Sequence, residues 1–363
     1  MLIHRSRWLI VLFMIIVFSG CSTNVTSTPN PFPETVIPLR ELADPINFYV
    51  GTSVRYRPFV DEPMYTQMIA EHYNLIMPEN MMKLDALYPD PDTFTPERAD
   101  AILAFAEEND IAVRGGPIIW HNALPEWLVD NGMDRDSMLV FMETYINTVV
   151  EHFQGRVYAW DVVNEAISPS GSGLRTDSIW MQTLGEDYIA LAFQLAHEAD
   201  PDALLFYSEG GTHFERAKAE STYQLVRGLV EDGVPLDGIS LHLHVDARNS
   251  FDAEFLYDEM QRYAELGLLI EITEMDVRIS RLSGSMEERL NIQAGIYQEA
   301  LDVCLQITAC TTFATWGFTD QHSWIDARFG EDDPLPFDSN YQPKPAYYAL
   351  VQSLQTASQN QNR

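Results

Sequence analysis

Two hydrophobic periods alternate along most of the chain. Short β-branched and apolar runs occur at 47–54, 74–78, 112–120, 157–163, 203–208, 237–245, 268–277 and 311–317. Segments with a period near 3.6 lie between them at 96–109, 137–153, 187–200, 214–232, 251–266 and 286–305, and a last one covers 345–356. Eight strands alternating with helices call for parallel βαβ units. Over roughly 310 residues, a closed α/β (β/α)8 TIM barrel fits this pattern better than an open doubly wound sheet. No Gly-rich nucleotide fingerprint follows the first run, which counts against a dinucleotide fold.

The N-terminal end follows neither period. His4, Arg5 and Arg7 form a short basic start, and Trp8 to Phe18 is an unbroken apolar run. Its length suits a signal-peptide core and is short for a membrane span. Ser19-Gly20-Cys21 follows, and a small residue before a Cys resembles a bacterial lipoprotein signal, with Cys21 lipidated. An ordinary cleaved signal and a retained anchor are the alternatives, because Phe18 replaces the usual Leu. Residues 22–43 are rich in Ser, Thr, Asn and Pro, the composition of a flexible linker. The expected order is therefore a signal at 1–21, a linker at 22–43, one catalytic domain at 44–357 and a frayed tail at 358–363. The expected location is extracytoplasmic, either secreted or lipid-anchored at the bacterial surface, as a monomer.

Charge narrows the partners. The 363 residues carry a formal net charge of −32, spread along the chain. Such a surface repels nucleic acid phosphates and anionic lipid headgroups, but not a neutral polysaccharide. Membrane contact is then expected only through the lipid. With Cys21 set aside, Cys304 and Cys310 remain, six positions apart in a chain that leaves the cytoplasm, and form a candidate disulfide. No second Cys or His pair shows ligand spacing, so neither metal nor cofactor is expected.

In such barrels, reactive groups sit at the C-terminal ends of strands. Six of the eight ends carry polar residues that a pure core would exclude. The second ends in Glu79 and Asn80 with Lys83 beyond, and the third in Trp120 and His121. The fourth ends in Asn164 and Glu165, while the sixth holds His242 and His244. The seventh runs into Glu274 and Asp276. The eighth ends in Trp316 and Asp320, with His322 and Trp324 after it. Strict alternation puts Glu274 and Asp276 on one face, with His244 on the neighbouring strand, and turns Glu271 away. An imidazole between two carboxylates would orient Glu274 and hold it ionised. Read singly, Glu165 could equally cap the next helix, and His244 with Asp276 could be a structural pair. Two carboxylates flanking one bond are what glycoside hydrolysis requires, one to protonate the leaving oxygen and one to attack or to activate water.

These motifs resemble glycoside hydrolase family 10, the retaining endo-β-1,4-xylanases of clan A, from about Asn47 to Leu354. Trp160-Asp161-Val162-Val163-Asn164-Glu165-Ala166 resembles the acid/base segment, and Ile272-Thr273-Glu274-Met275-Asp276 the nucleophile segment. Pro78-Glu79-Asn80-Met81-Met82-Lys83 and Trp120-His121 resemble sugar-binding motifs on the glycone side. Trp316-Gly317 and Ser323-Trp324 resemble the tryptophan pair that walls the glycone subsites. Pro343-Lys344-Pro345-Ala346-Tyr347 resembles the closing helix, and Cys304 with Cys310 matches a disulfide common in the family. The resemblance implies a retaining xylanase with Glu165 as acid/base and Glu274 as nucleophile. His244, Asp276 and Asn164 would support them. Glu79, Asn80, Lys83, Trp120, His121, Trp316 and Trp324 would bind a β-1,4-xylan or xylo-oligosaccharide.

The departures cluster on recognition rather than chemistry. Gly116 stands where the family has His, Ala123 where it has Gln, and Leu84 where it has Trp. The fifth strand ends in Ser208-Glu209-Gly210-Gly211 instead of Asn-Asp-Tyr-Asn, and His242 replaces a Gln. Each lost polar contact weakens binding by roughly 1–2 kcal/mol, and Glu209 and His242 are candidates for replacing them. Another β-glycoside on the same fold, or a glycan-binding lipoprotein that has lost turnover, are the alternative readings.

Overall fold

The computed structural model describes residues 36–130 and 132–361. The signal at 1–21 with Cys21, and most of the linker, lie outside the described residues. Eight strands form the barrel: β1 Tyr49–Val54, β2 Leu75–Pro78, β3 Ala112–Gly115, β4 Ala159–Asn164, β5 Leu204–Gly210, β6 Gly238–Asp246, β7 Leu269–Arg278 and β8 Cys310–Thr315. Each pairs in parallel with the next, and β8 closes on β1. The helices predicted from the 3.6 period occur within a few residues of the expected bounds, for example Arg135–Phe153 and Ala253–Glu265.

Local sequence explains several boundaries. The helix Met286–Gln306 starts at a capping box, in which Ser285 accepts from the Glu288 amide and Glu288 accepts from the Ser285 amide. Asp134 and Asp252 cap Arg135–Phe153 and Ala253–Glu265 in the same sense. The third strand is shorter than its apolar run because Gly116 and Pro117 break it. Gly116 has φ of +109°, and a Cβ there would stand 2.7 Å from the Asp161 carbonyl oxygen. A side chain at this position is therefore excluded by backbone as well as by conformation.

Two boundaries differ from expectation. The linker ends earlier than residue 43: Leu39–Ala43 is a helix whose Leu39 and Ala43 are buried, packed against the last helix. The tail begins later than 358, because the last helix runs from Pro345 to Gln361. Pro38 and Pro33 gave the first segment its linker composition, while the apolar contacts that order it come from the far end of the chain.

The barrel floor is an ionic cluster. Arg114 on β3 pairs with Asp161 at 2.6 Å and with Glu271 at 2.5 Å, and also donates to Ser240. Ser240 donates to Asp161 at 2.8 Å, while Tyr158 and Thr312 donate to Glu271 at 2.8 and 2.9 Å. Glu271 therefore does not turn away from the interior. The ladders of β7 shift register between Ile272 and Met275, which lets Glu271 and Glu274 both face inward three positions apart. Cys304 and Cys310 form a disulfide that ties a helix end to the start of β8.

Candidate active site

The strand C-termini enclose a cleft of about 580 Å³. Its lining includes Glu79, Asn80, Lys83, Trp120, His121, Asn164, Glu165, His242, His244, Glu274, Trp316 and Trp324. A hollow of about 640 Å³ lies at the opposite barrel end, near Phe48, Leu305 and Cys310, and among the described residues Asp302 is its one titratable side chain.

Glu274 sits among imidazoles. Nε2 of His244 lies 3.0 Å from Glu274 Oε2, and its Nδ1 lies 2.7 Å from Asp276 Oδ2. The β6–β7 register explains this, since it sets His242 beside Glu274 and His244 beside Asp276. Trp324 donates to the same Asp276 oxygen at 2.8 Å, and its ring lies 4.9 Å from that of His244. Burial pushes His244 toward the neutral form, but Asp276 and Glu274 outweigh it and lift the imidazole to about 10. Burial also pushes the Glu274 carboxyl up, against the pull of the His244 charge. His244 is then cationic through neutral pH and bridges the Glu274 and Asp276 carboxyl groups.

The surroundings of Glu165 are different. β4 ends at Asn164, and Glu165 adopts a left-handed φ of +51°, a strained conformation for a residue with a Cβ. Its amide donates to the Ser208 carbonyl at 2.9 Å, and Arg175 donates to its carbonyl at 3.3 Å. Those bonds hold the turn. The carboxylate accepts from the Trp120 indole at 3.1 Å, and His121 approaches to 3.9 Å. Strict alternation along β4 would send Asn164 and Glu165 to opposite faces. The register shift in β4 and the positive φ bring both into the cleft.

On the other side, Lys83 donates to Asn80 at 2.8 Å, and Asn80 donates to Glu79 at 3.1 Å. The Lys83 ammonium stands 5.1 Å from the Trp120 ring and 5.7 Å from the Trp316 ring. Arg55 approaches Glu79 at 3.4 Å. These groups present donors beside aromatic faces, a combination that suits sugar hydroxyls and sugar rings.

Two expectations change. Glu209 does not face the cleft. It is fully buried, paired with Lys218 at 2.8 Å, and accepts from Tyr207, Ile167 and Gly210. The pleat sends Tyr207 and Glu209 to one face of β5, leaving Ser208 and Gly210 toward the site. Asp320 is likewise buried, held by Lys344 at 2.8 Å and by the Leu335 amide. Of the substituted positions, His242 does reach the site: its Nε2 lies 2.6 Å from Ser208 Oγ and 3.3 Å from Glu274 Oε1. Leu84 is buried and provides no platform.

Sequence reading missed Arg175, Ser208 and the pair Arg328 and Phe329, which line or support the cleft. Arg175 had a signal: a lone cation in a Gly- and Ser-rich loop ten residues after Glu165, in a chain with only 22 Lys and Arg. Ser208 had none, since its role depends on the neighbouring strand.

The glycosyl hydrolase family 10 model matches residues 38–353. The chain is 37% identical over 345 residues to endo-1,4-beta-xylanase B of Thermotoga neapolitana, covering 94% of this chain and 96% of that protein. It is 36% identical to a beta-1,4-xylanase of Dictyoglomus thermophilum, over 79% of this chain and 84% of the relative. Among solved structures, native xylanase 10B from Thermotoga maritima superposes with a TM-score of 0.85 at 40% identity, covering 89% of this chain and all of that one. Xylanase 10B from Thermotoga petrophila RKU-1 in complex with xylobiose gives the same TM-score and identity, over 90% and 99%. With the barrel, the paired carboxylates and a match spanning the folded body, the chain belongs to glycosyl hydrolase family 10.

Proposed function

We propose that the protein is a retaining endo-β-1,4-xylanase in which Glu274 is the nucleophile and Glu165 the acid/base. The observation that carries this reading is the unlike treatment of two carboxylates lining one cleft. Glu274 is half-buried, its side chain 13% exposed, and bridged by a cationic imidazole, which suits a group that must stay ionised and aimed. Glu165 is more exposed and touched by one indole donor, which suits a group that must give and take a proton.

In the first step a Glu274 oxygen attacks the anomeric carbon as the bond to the leaving sugar oxygen breaks, and that oxygen takes the Glu165 proton. In the second, water loses a proton to Glu165 and attacks the same carbon, which frees Glu274. Asn164 has a buried Oδ1 with no partner within the protein, an acceptor suited to a sugar hydroxyl beside the reacting carbon. Glu79, Asn80, Lys83 and His121 offer hydrogen bonds, and Trp120, Trp316 and Trp324 offer ring faces. The names of the relatives and the bound xylobiose of one of them supply the substrate class.

The test is reducing-sugar release from arabinoxylan, glucuronoxylan and β-glucan, with Glu274→Ala as control and the first-formed anomer read by proton NMR. Release from a xylan with the β-anomer first, lost in the variant, is the expected result. Release only from β-glucan would replace the substrate. Binding without release would leave a glycan-binding protein. Placement at the cell surface is part of the proposal and rests on Ser19-Gly20-Cys21. Labelling with a fatty acid that is absent from Cys21→Ala is the outcome it requires.

A further inference from the structure

His242 changes what the nucleophile's surroundings can hold. With Gln at this position, Glu274 would have one imidazole beside it; here it has two. His242 Nε2 lies 3.3 Å from Glu274 Oε1, and His244 Nε2 lies 3.0 Å from Glu274 Oε2. One donor atom from each of the three residues lies within 4.8 Å of the others. Zinc bonds of about 2.0–2.1 Å in tetrahedral geometry separate neighbouring ligand atoms by about 3.3 Å. Each imidazole already stands at nearly that distance from one oxygen of Glu274, His242 from Oε1 and His244 from Oε2, so an ion between them is reached through both carboxylate oxygens or after a small turn of the carboxylate.

The backbone arrangement supports the grouping. His242-Leu243-His244 places two imidazoles on the same face of one strand, and the ladder sets Glu274 directly beside the first. His242-Leu243-His244 is a His-x-His, a spacing distinct from the Cys and His pairs of common zinc motifs. Around the trio stands the support that zinc-ligating histidines usually have: His244 Nδ1 is bound to the Asp276 carboxylate. His242 Nε2 itself lies against the Ser208 hydroxyl, which must rotate away for that nitrogen to take an ion. The ligand atoms face the cleft, which leaves a fourth position open to water. The Asp276 and Glu165 carboxylates favour an added cation, while Lys83 opposes it.

We propose that His242 Nε2, His244 Nε2 and Glu274 form a binding site for a divalent transition ion such as Zn2+, and that the ion inhibits the enzyme by occupying its nucleophile. The ion replaces the Nε2 proton of His244, which leaves to solvent, so about one proton is released per ion bound. No electron transfer is involved. The site belongs to this chain because it needs an imidazole at 242. Its inhibitory effect rests on the proposed reaction; its ability to bind metal does not.

The experiment is calorimetric titration of the metal-free full chain with ZnCl2, with Co2+ absorption as an independent readout of tetrahedral binding. Wild type should take one ion, and intense visible Co2+ bands should appear. His242→Gln should weaken binding by about 100-fold or more, since loss of a ligand exceeds the 10–100-fold cost of losing an outer partner. Glu274→Gln, which keeps the side-chain volume, serves as the second variant and should weaken it similarly. Xylan hydrolysis should fall with the same midpoint as binding and return with EDTA. Equal Zn2+ affinity in wild type and both variants would overturn the proposal, as would no binding at 1 mM or binding that leaves turnover intact. Tight, His242-dependent binding in a protein that never hydrolyses xylan would retain the metal site and reject the proposed reaction.

Discussion

The barrel holds acidic residues in two regions, its floor and its mouth, and treats them differently. On the floor, Asp161 and Glu271 share the Arg114 guanidinium, and hydroxyls of Ser240, Tyr158 and Thr312 occupy further lone pairs. At the mouth, Glu165 accepts from one indole, and Glu274 shares one cationic imidazole with Asp276. A buried charge costs several kcal/mol unless it is fully partnered. The floor meets that cost locally and can then do nothing else. The mouth leaves its carboxylates under-partnered, which keeps them available to a substrate.

The largest expected effect breaks the mouth. Glu274→Ala removes the proposed nucleophile, and turnover of xylan should fall by about 10⁵-fold, judged against how strongly activity depends on a covalent nucleophile elsewhere. Thermal stability should hold or rise, because a largely desolvated, under-partnered carboxyl is gone. A clear drop in Tm with activity retained would place Glu274 in the structural class with Glu271. Next comes Glu165→Ala. A sugar leaving group needs protonation, so xylan hydrolysis should fall by about 10²–10⁴-fold. An aryl xylobioside with an acidic phenol needs little help in leaving, and its burst of phenol should persist. Loss of the burst as well as of xylan turnover would contradict the acid role.

The floor should break in the opposite sense. Arg114→Met leaves Asp161 and Glu271 buried without their shared cation, and breaking a buried pair in this way costs about 3–5 kcal/mol. Denaturant unfolding should show that loss, while the variant protein that folds should retain kcat within a few-fold. A variant as stable as wild type would mean that the cluster contributes position rather than energy.

The same contrast marks how much could be read from sequence. Strand and helix periods gave the barrel, its order and most boundaries, because burial on both sheet faces writes a plain pattern. Strand-end polarity picked out Glu165, Glu274, His244 and Asp276. Parity failed where the ladders slip. Register shifts in β4 and β7 put Asn164 beside Glu165 and Glu271 below Glu274, and a two-residue period cannot foresee a bulge. Glu209 was misplaced for a related reason: a carboxylate at a strand end looks reactive until its cation is known, and Lys218 comes from the following helix. The short helix at Leu39–Ala43 was hidden because its partner is at the far end of the chain.

The smallest expected effect concerns pH and again separates mouth from floor. His244 is lifted to about 10 in the folded protein against about 6.5 unfolded, the balance of burial against Asp276 and Glu274. The folded state therefore binds more protons than the unfolded one between those values. Its contribution is complete below about pH 6.5 and is lost as pH rises through 10. The lowered imidazoles of His72, His213 and His242 act in the opposite sense, but below 6.5, so they do not mask the alkaline limb. Asp320, raised to about 7 chiefly by burial, adds a loss that is nearly complete by pH 8. Between pH 8 and 9 His244 contributes most of the slope, about 1 kcal/mol, while above pH 9 the buried tyrosines held protonated by burial, such as Tyr65 and Tyr145, add a loss in the same sense. In His244→Asn the fall between pH 8 and 9 should shrink to a small fraction, while a slope in that interval that survives the substitution undiminished would assign the titration to another group and leave the imidazole at the mouth neutral.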